Sequence, residues 1–378
     1  MHDFLLKELS KTNIEKELTD IGYDSSYAFK ARDKFYYKNY KIYDLTCAQA
    51  NILKQLALSV GADCGTNKEV ITGKIDLSDC ILGGSISQLQ KIAQKLQLQP
   101  FGLKELGKKL QETTQKAPKS KTKIVGILNI TTNSFSDGGK YYNFDDAINQ
   151  LHKLSEDGAD IIDIGAESTK PYSKPVDSDK QLSKLIPILK YIKENNINIP
   201  ISIDTRSAQV AQECINFGAS IINDVSGLEY DLEMAKIIAQ NPEIKVIIQH
   251  CKGTPENMQD NPQYENLTDE IFKDLKSKID YALSQGIKKE NIILDPGIGF
   301  GKNREDNFEI IRRWQEFKTL ECPIMIGISR KSMLGKQNSN EQKDIYTLAL
   351  NSILINENID YIRVHNVKLH KDFLNILP

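Results

Sequence analysis

Ala147-Ile-Asn-Gln-Leu151-His-Lys-Leu154-Ser-Glu-Asp-Gly158-Ala-Asp160-Ile-Ile-Asp-Ile164 changes its hydrophobic period at one glycine. Before Gly158, Ala147, Leu151 and Leu154 recur at helical spacing, and after it comes a short β-branched run of the kind buried on both faces of a sheet. The same order of helix, glycine and strand recurs outward in both directions. Val210, Cys214 and Phe217, closed by Gly218, lead into a second such run. In all, strand-like runs stand at 124–130, 160–164, 199–204, 220–225, 245–250, 291–295, 323–329 and 361–365, most of them separated by a segment of helical pattern. Eight alternations within roughly 255 residues fit a (β/α)8 TIM barrel better than an open doubly wound sheet. No G-x-G-x-x-G follows the first run, so a dinucleotide fold loses its main support.

Upstream, the stretch between Leu110 and Ile124 has no apolar periodicity, one proline and four lysines, which reads as a linker over 113–123. It divides the barrel, 124–378, from a smaller N-terminal α+β domain, 1–112. There the pattern predicts a helix over 47–60, short apolar stretches near Ile71 and Ile81, and an amphipathic segment over 86–98. Gly83-Gly84-Ser85 could cradle a phosphate, but with no lysine after it the expected reading is a plain turn.

A chain of 378 residues is long enough for one barrel-sized domain plus a smaller piece. Its 49 Lys+Arg nearly balance 51 Asp+Glu, for a net charge of −2, which argues against a dedicated nucleic-acid binder. The six cysteines never form a C-x-x-C pair, so neither a zinc knuckle nor a dithiol motif is present. The first residues lack a basic segment followed by a long apolar one, and no apolar run approaches a membrane span. The expectation is a cytoplasmic protein with free thiols and no membrane partner.

In a barrel of this kind, chemistry collects where the strands finish. Those positions hold Asn129, Asp163 with Glu167, Asp204, Asn223, His250, Asp295, Ser329 with Lys331, and Arg363 with His365. One such residue is more simply a helix cap, but eight together describe a site. Carboxylates and carboxamides come from the middle strands and cations from the last two, as for a polar planar heterocycle with an anion beside it. Asn129 is a neutral oxygen donor of the sort Mg²⁺ accepts when phosphate supplies the rest. The glycine pair in 131–139 and the run Glu167-Ser-Thr-Lys-Pro171 predict long loops over the mouth.

Taken in order, Gly126-Ile-Leu-Asn-Ile-Thr-Thr-Asn-Ser-Phe-Ser-Asp-Gly-Gly139, Gly158-Ala-Asp-Ile-Ile-Asp-Ile-Gly-Ala-Glu-Ser-Thr-Lys-Pro171, Ile203-Asp-Thr205, Ile222-Asn-Asp-Val-Ser-Gly227, His250-Cys-Lys-Gly-Thr-Pro255, Leu294-Asp-Pro-Gly-Ile-Gly-Phe-Gly-Lys302, Gly327-Ile-Ser-Arg-Lys-Ser332 and Arg363-Val-His365 together resemble the dihydropteroate synthase family. The resemblance runs from about Ile124 to the C-terminus and leaves 1–115 unmatched. It implies condensation of 7,8-dihydropterin-6-ylmethyl diphosphate with 4-aminobenzoate in folate synthesis, a Mg²⁺ cofactor, a homodimer formed through the later barrel helices, and sulfonamides as aminobenzoate mimics. Carried over position by position, it makes Asp204, Asn223, Asp295 and Lys331 pterin ligands. Asn129, Arg363 and His365 match diphosphate positions, Asn129 also the metal position. Phe135, Thr169, Pro171, Phe300, Lys331 and Ser332 match the surroundings of aminobenzoate. Asp137, Lys331, Arg363 and His365 are the expected catalytic set, with Asp137 the candidate anion beside a cationic intermediate.

Several positions depart from the common family pattern. The first loop has Thr132-Asn133 where Pro-Asp is usual, and the second has Lys170 and Tyr172 where Arg and Gly are usual. Lysine lacks arginine's bidentate fork, so contact between the loops weakens. Asn366 and Cys251 replace Asp and Met. Two other readings share the barrel. A pterin-binding methyltransferase would not need the Ser-Phe-Ser-Asp-Gly-Gly loop or the Ser-Arg-Lys-Ser corner, and a non-catalytic scaffold would not need every charged mouth residue. The N-terminal domain, short and carrying only His2, does not suit a fused pyrophosphokinase or aldolase, so it reads as an accessory domain without an assigned role.

Overall fold

The computed structural model describes residues 5–9, 14–114, 121–130, 143–168, 172–335 and 337–377. The chain divides into two compact units, Met1–Pro118 and Lys119–Pro378.

In the first unit, α1 (Ile14–Asp20) and α2 (Ser25–Ala31) precede two strand-to-helix steps. β1 (Tyr37–Thr46) runs straight into α3 (Cys47–Leu58), and after β2 (Asp63–Gly65), β3 (Leu77–Ser85) runs straight into α4 (Ile86–Leu96), with α5 (Leu103–Thr114) packed beside it. The sheet order is β1-β3-β2, antiparallel. Both steps use the same device: Thr46 and Ser85 cap their helices in boxes closed by Gln49 and Gln88. Each glutamine also donates to the turn after the other helix, Gln49 to the Phe101 carbonyl and Gln88 to that of Gly61, both at 2.8 Å. Gly83-Gly84-Ser85 is therefore not the expected turn. It ends a strand, because Ser85 caps the next helix from an extended conformation. Ile71 lies outside any strand, and Ile81 sits on β3 but faces outward.

Among its described residues the second unit alternates eight strands with eight α-helices: β4 (Lys123–Asn129), α6 (Phe144–Glu156), β5 (Ile161–Gly165), α7 (Ser178–Glu194), β6 (Ile201–Asp204), α8 (Ala208–Asn216), β7 (Ile221–Asp224), α9 (Glu233–Gln240), β8 (Lys245–Gln249), α10 (Leu267–Ser284), β9 (Ile292–Asp295), α11 (Arg304–Arg313), β10 (Met325–Ile326), α12 (Asn340–Asn356), β11 (Tyr361–Val364) and α13 (Val367–Ile376). The order β10-β11-β4-β5-β6-β7-β8-β9 is parallel throughout, and a parallel bridge from Leu294 to Ile324 joins its ends. This is a (β/α)8 TIM barrel. The seventh strand is much shorter than the run over 323–329. Ile324 and Ile328 are buried in the core that the helices share with the strands, so that run reports burial rather than strand length.

Strand alternation positions the site. Val125, Ile161, Ile221, Ile247, Ile293, Met325 and Tyr361 form a separate apolar layer, one residue from each of seven strands. Two residues further along a strand the side chain points the same way. That step leads from Ile161 to Asp163, from Ile221 to Asn223, from Ile293 to Asp295 and from Tyr361 to Arg363; on β6 it leads from buried Ser202 to Asp204. The polar set is thus the next layer above an apolar floor.

Candidate active site

Asp163, fully buried, is the hub of that layer. Arg363 donates to it from Nε at 2.7 Å and approaches it with Nη2 at 2.6 Å, and Nη2 also donates to Asp204 at 2.8 Å. Asn223 donates to Asp163 from Nδ2 at 3.0 Å, which leaves Asn223 Oδ1 as an acceptor. Among the described residues, Asp163 Oδ1, Asp204 Oδ1 and Asn223 Oδ1 are all buried with no hydrogen-bond partner. Buried acceptors are rarely left unpaired, so three on adjacent strands mark the place of a ligand that brings donors. Asp224, next to Asn223 but pointing the other way, is spent on the backbone N–H groups of Ser226 and Leu228, at 2.8 and 2.9 Å. Asp163 was legible as a strand-end residue but had no role in the sequence reading; its signal is the two-residue step it shares with Asn223, Asp295 and Arg363.

Burial pushes the Asp204 carboxyl up to about 7; Arg363 opposes the shift, while Asp163, Glu167 and Asp224 add to it. The sign follows from linkage. A carboxyl whose folded value exceeds its unfolded value of about 4 gives stability that is complete below that value and is lost as pH rises through the folded one. The stability of the wild type relative to Asp204→Asn therefore falls by on the order of 4 kcal/mol between about pH 4 and pH 7. Parallel urea unfolding of both proteins across that range measures it, and a flat difference would remove Asp204 from the titrating set.

Asp295 is buried at the end of β9 and accepts the Gly297 N–H at 2.7 Å. Burial raises its carboxyl above the usual range against the pull of Lys331. Burial lowers Lys331 to about 8, opposed chiefly by Asp295. The Lys331 ammonium lies 4.8 Å from the centre of the Phe300 ring and donates to the Ile298 carbonyl. Beneath this loop, Lys302 is fully buried, donating to His250 Nδ1 at 2.8 Å and to the Phe300 carbonyl at 2.9 Å. Burial brings Lys302 down to about 7, and burial with the nearby Lys302 charge drives His250 far below its usual range, so His250 is a neutral acceptor. The approach depends on Gly297, at φ +73°: a Cβ there would meet the His250 carbonyl oxygen at 1.9 Å. His250 was read from the sequence only as a strand-end residue of the mouth and Lys302 had no role there, because sequence cannot show that the two loops interlock.

Asn129 ends β4 half-buried, and Asp204 ends β6 on the other side of Gly165. A methyl on Gly165 would stand 3.6 Å from Asn129 Oδ1 and 3.4 Å from Asp204 Cβ, so both line one surface. Among the described residues no group of three His, Cys, Asp or Glu converges on a metal position. A single amide oxygen suits Mg²⁺, which takes phosphate oxygens and keeps waters. Ser329, read from the sequence as a strand end, lies in the turn three residues beyond β10, and its Oγ is 2.9 Å from Nδ1 of His365, the residue after β11. Ser332 is exposed at the start of a short 3-10 turn.

The second loop is clasped at its base. Glu167 accepts from the Val176 N–H at 3.1 Å and from Arg206 at 3.0 Å, and Arg206 lies 4.2 Å from the centre of the Tyr230 ring. Tyr172 adopts φ +66°, which suits the glycine usual there, and donates its N–H to the Pro255 carbonyl at 2.7 Å. Phe135, Asp137, Thr169 and Pro171, with Thr132, Asn133 and Lys170, lie outside the described residues.

The arrangement offers unpaired acceptors to one edge of a planar ligand and cations beside it. The family model described as "Pterin binding enzyme" matches residues 125–365. A Helicobacter pylori protein named as a bifunctional dihydropteroate synthase/dihydropteroate reductase is 32% identical over 381 residues, covering 98% of each chain. A Haloferax volcanii protein, a probable bifunctional folylpolyglutamate synthase/dihydropteroate synthase, is 32% identical over 353 residues; the match takes in 87% of this chain and 41% of that one, so the chain spans less than half of that relative. Among solved structures, a dihydropteroate synthase from Clostridium difficile in the presence of pteroic acid is 40% identical with a TM-score of 0.63, over 69% of this chain and 97% of the other.

Proposed function

The chain belongs to the pterin-binding enzyme family, and to the dihydropteroate synthases within it, and on that premise we propose that it joins 7,8-dihydropterin-6-ylmethyl diphosphate to 4-aminobenzoate, releasing diphosphate and 7,8-dihydropteroate. The observation that carries the reading is the trio of buried, unpartnered acceptors on Asp163, Asp204 and Asn223. The amino-pyrimidine edge of a pterin brings N–H donors to such acceptors. Asp295 and Lys331 are assigned to the ring's surroundings and Phe300 and Ser332 to the aminobenzoate side; Phe135, Thr169 and Pro171, outside the described residues, share that assignment through the family resemblance alone.

The chemistry needs no nucleophilic side chain. The C–O bond to the diphosphate breaks with its electron pair going to oxygen, the electron-rich dihydropterin spreads the positive charge, and the neutral aryl amine then forms the C–N bond and loses a proton. The protein's task is to stabilise separating charges. Arg363 and His365 face the departing diphosphate, and Asp137 is assigned to the cationic side. Asn129 would help hold a Mg²⁺ ion beside the diphosphate, and the chemistry it would supply there is further neutralisation of the leaving group.

The experiment is a crystal structure of the full chain with pteroic acid. The reading expects ring donors within hydrogen-bond distance of Asp204 and Asn223; pteroic acid bound away from them overturns it. A second activity is favoured by the H. pylori match, because it spans the N-terminal unit as well as the barrel. That activity is reduction of dihydropteroate, with a hydride delivered to C6 and a proton to N5 from a reduced nicotinamide or flavin; tetrahydropteroate in a reaction supplied with either donor tests it. Self-association through the later barrel helices is also part of the proposal, and α12 exposes Ile345, Tyr346 and Ile353 for it. The described helices include none long and apolar enough to cross a membrane.

A further inference from the structure

Four consecutive carbonyl oxygens in the loop after β9 each meet a side-chain donor. Lys331 donates to that of Ile298, Gln259 to that of Gly299 at 2.8 Å, Lys302 to that of Phe300 at 2.9 Å, and Tyr264 to that of Gly301 at 2.7 Å. A carbonyl oxygen only accepts, so the Gln259 amide turns its Nε2 toward the loop. Gln259 and Tyr264 both come from the segment between β8 and α10. The four contacts are not equivalent. The outer glycines are fixed by backbone, since a Cβ on Gly297 or Gly301 would meet the carbonyl oxygen of His250 at 1.9 Å or of Lys252 at 2.3 Å. Gly299, between them at φ +81°, has as its nearest neighbours three atoms of the flexible Lys331 side chain, the first at 3.1 Å. A glycine so placed turns freely unless its peptide groups are held. Its N–H is held by Asn307 at 2.6 Å and its carbonyl by Gln259, while the Phe300 N–H of that same peptide unit closes a turn onto the Gly297 carbonyl at 3.1 Å. Phe300 thus stands between two clamped peptide units, Gln259 before it and Lys302 after it, with its ring centre 4.8 Å from the Lys331 ammonium.

We propose that Gln259 is a positioning residue for aminobenzoate: by holding the Gly299 carbonyl it sets the direction of the Phe300 ring, the wall assigned to that substrate. The pterin side does not depend on it, because Lys331 keeps its own bond to the Ile298 carbonyl and Asp295 its bond to the Gly297 N–H. The inference rests on the synthase reading, which assigns Phe300 to the aminobenzoate side.

The test is calorimetric titration of the full chain with two ligands: pteroic acid, which carries the aminobenzoate half, and 6-hydroxymethylpterin, which lacks it. Gln259→Met keeps the length of the side chain and removes the donor. It should weaken pteroic acid about tenfold, the size of one lost hydrogen bond, and change the Kd of 6-hydroxymethylpterin less than about twofold. Tyr264→Phe removes a donor from the carbonyl of a glycine that backbone already fixes, so it should change either Kd less than about twofold. Steady-state kinetics of Gln259→Met should show the same split, with the KM for aminobenzoate up about tenfold and that for the dihydropterin diphosphate within about twofold of the wild type. Equal weakening of both ligands in Gln259→Met, or of neither, overturns the proposal, and so does a loss of about tenfold for pteroic acid in Tyr264→Phe. A wild type that binds neither ligand overturns the synthase reading, and this inference with it.

Discussion

Asp295→Asn lowers kcat/KM for the dihydropterin diphosphate by about a thousandfold or more without loosening the fold. The carboxylate already accepts the Gly297 N–H through Oδ1. An amide keeps that bond with its own oxygen, and so must turn its NH2 toward the ring, where a donor meets the pterin's donors. The lost bond is one between a charged acceptor and a buried donor, and an opposed donor pair adds to the loss. Stability should hold or rise, since burial already disfavours the ionised carboxyl. Steady-state kinetics paired with thermal unfolding separates the two effects. Normal turnover in the variant would withdraw Asp295 from the pterin site.

Arg363→Met fails in both respects. The guanidinium is the shared partner of Asp163 and Asp204, so removing it strands carboxylates buried at the barrel mouth. Breaking such a pair costs about 3–5 kcal/mol, and the deficit should be greatest above pH 7 and shrink as acid protonates Asp204, whose carboxyl already stands near 7 with the arginine present. Turnover of the diphosphate should be lost at every pH, because protonation restores the fold but not the cation. Urea unfolding at several pH values is the check; a deficit independent of pH would mean that Arg363 does not neutralise these acids.

The barrel was legible because its signal is periodic. The change from helical spacing to β-branched runs at Gly158 and Gly218 locates strands whichever side chains later do chemistry, and Asp204, Asn223, Asp295 and Arg363 follow as strand ends. What escaped was partnership across strands. Asp163 is one residue of a run until Arg363, 200 positions away, is seen bonded to it. Lys302 reads as the last letter of a glycine-rich stretch until His250 stands at its ammonium. Gly83-Gly84-Ser85 misled for a local reason, since glycines imply a turn only where the backbone needs one, and here the serine's cap holds the chain extended into a helix.

The most direct measurement supplies the purified chain with dihydropterin methyl diphosphate, 4-aminobenzoate and Mg²⁺ and follows both products. Dihydropteroate and diphosphate appearing in equal amounts, and neither without aminobenzoate under steady-state conditions, is the predicted result. Pterin binding with no dihydropteroate formed would contradict it, and would turn the same pocket toward methyl transfer or a scaffold role.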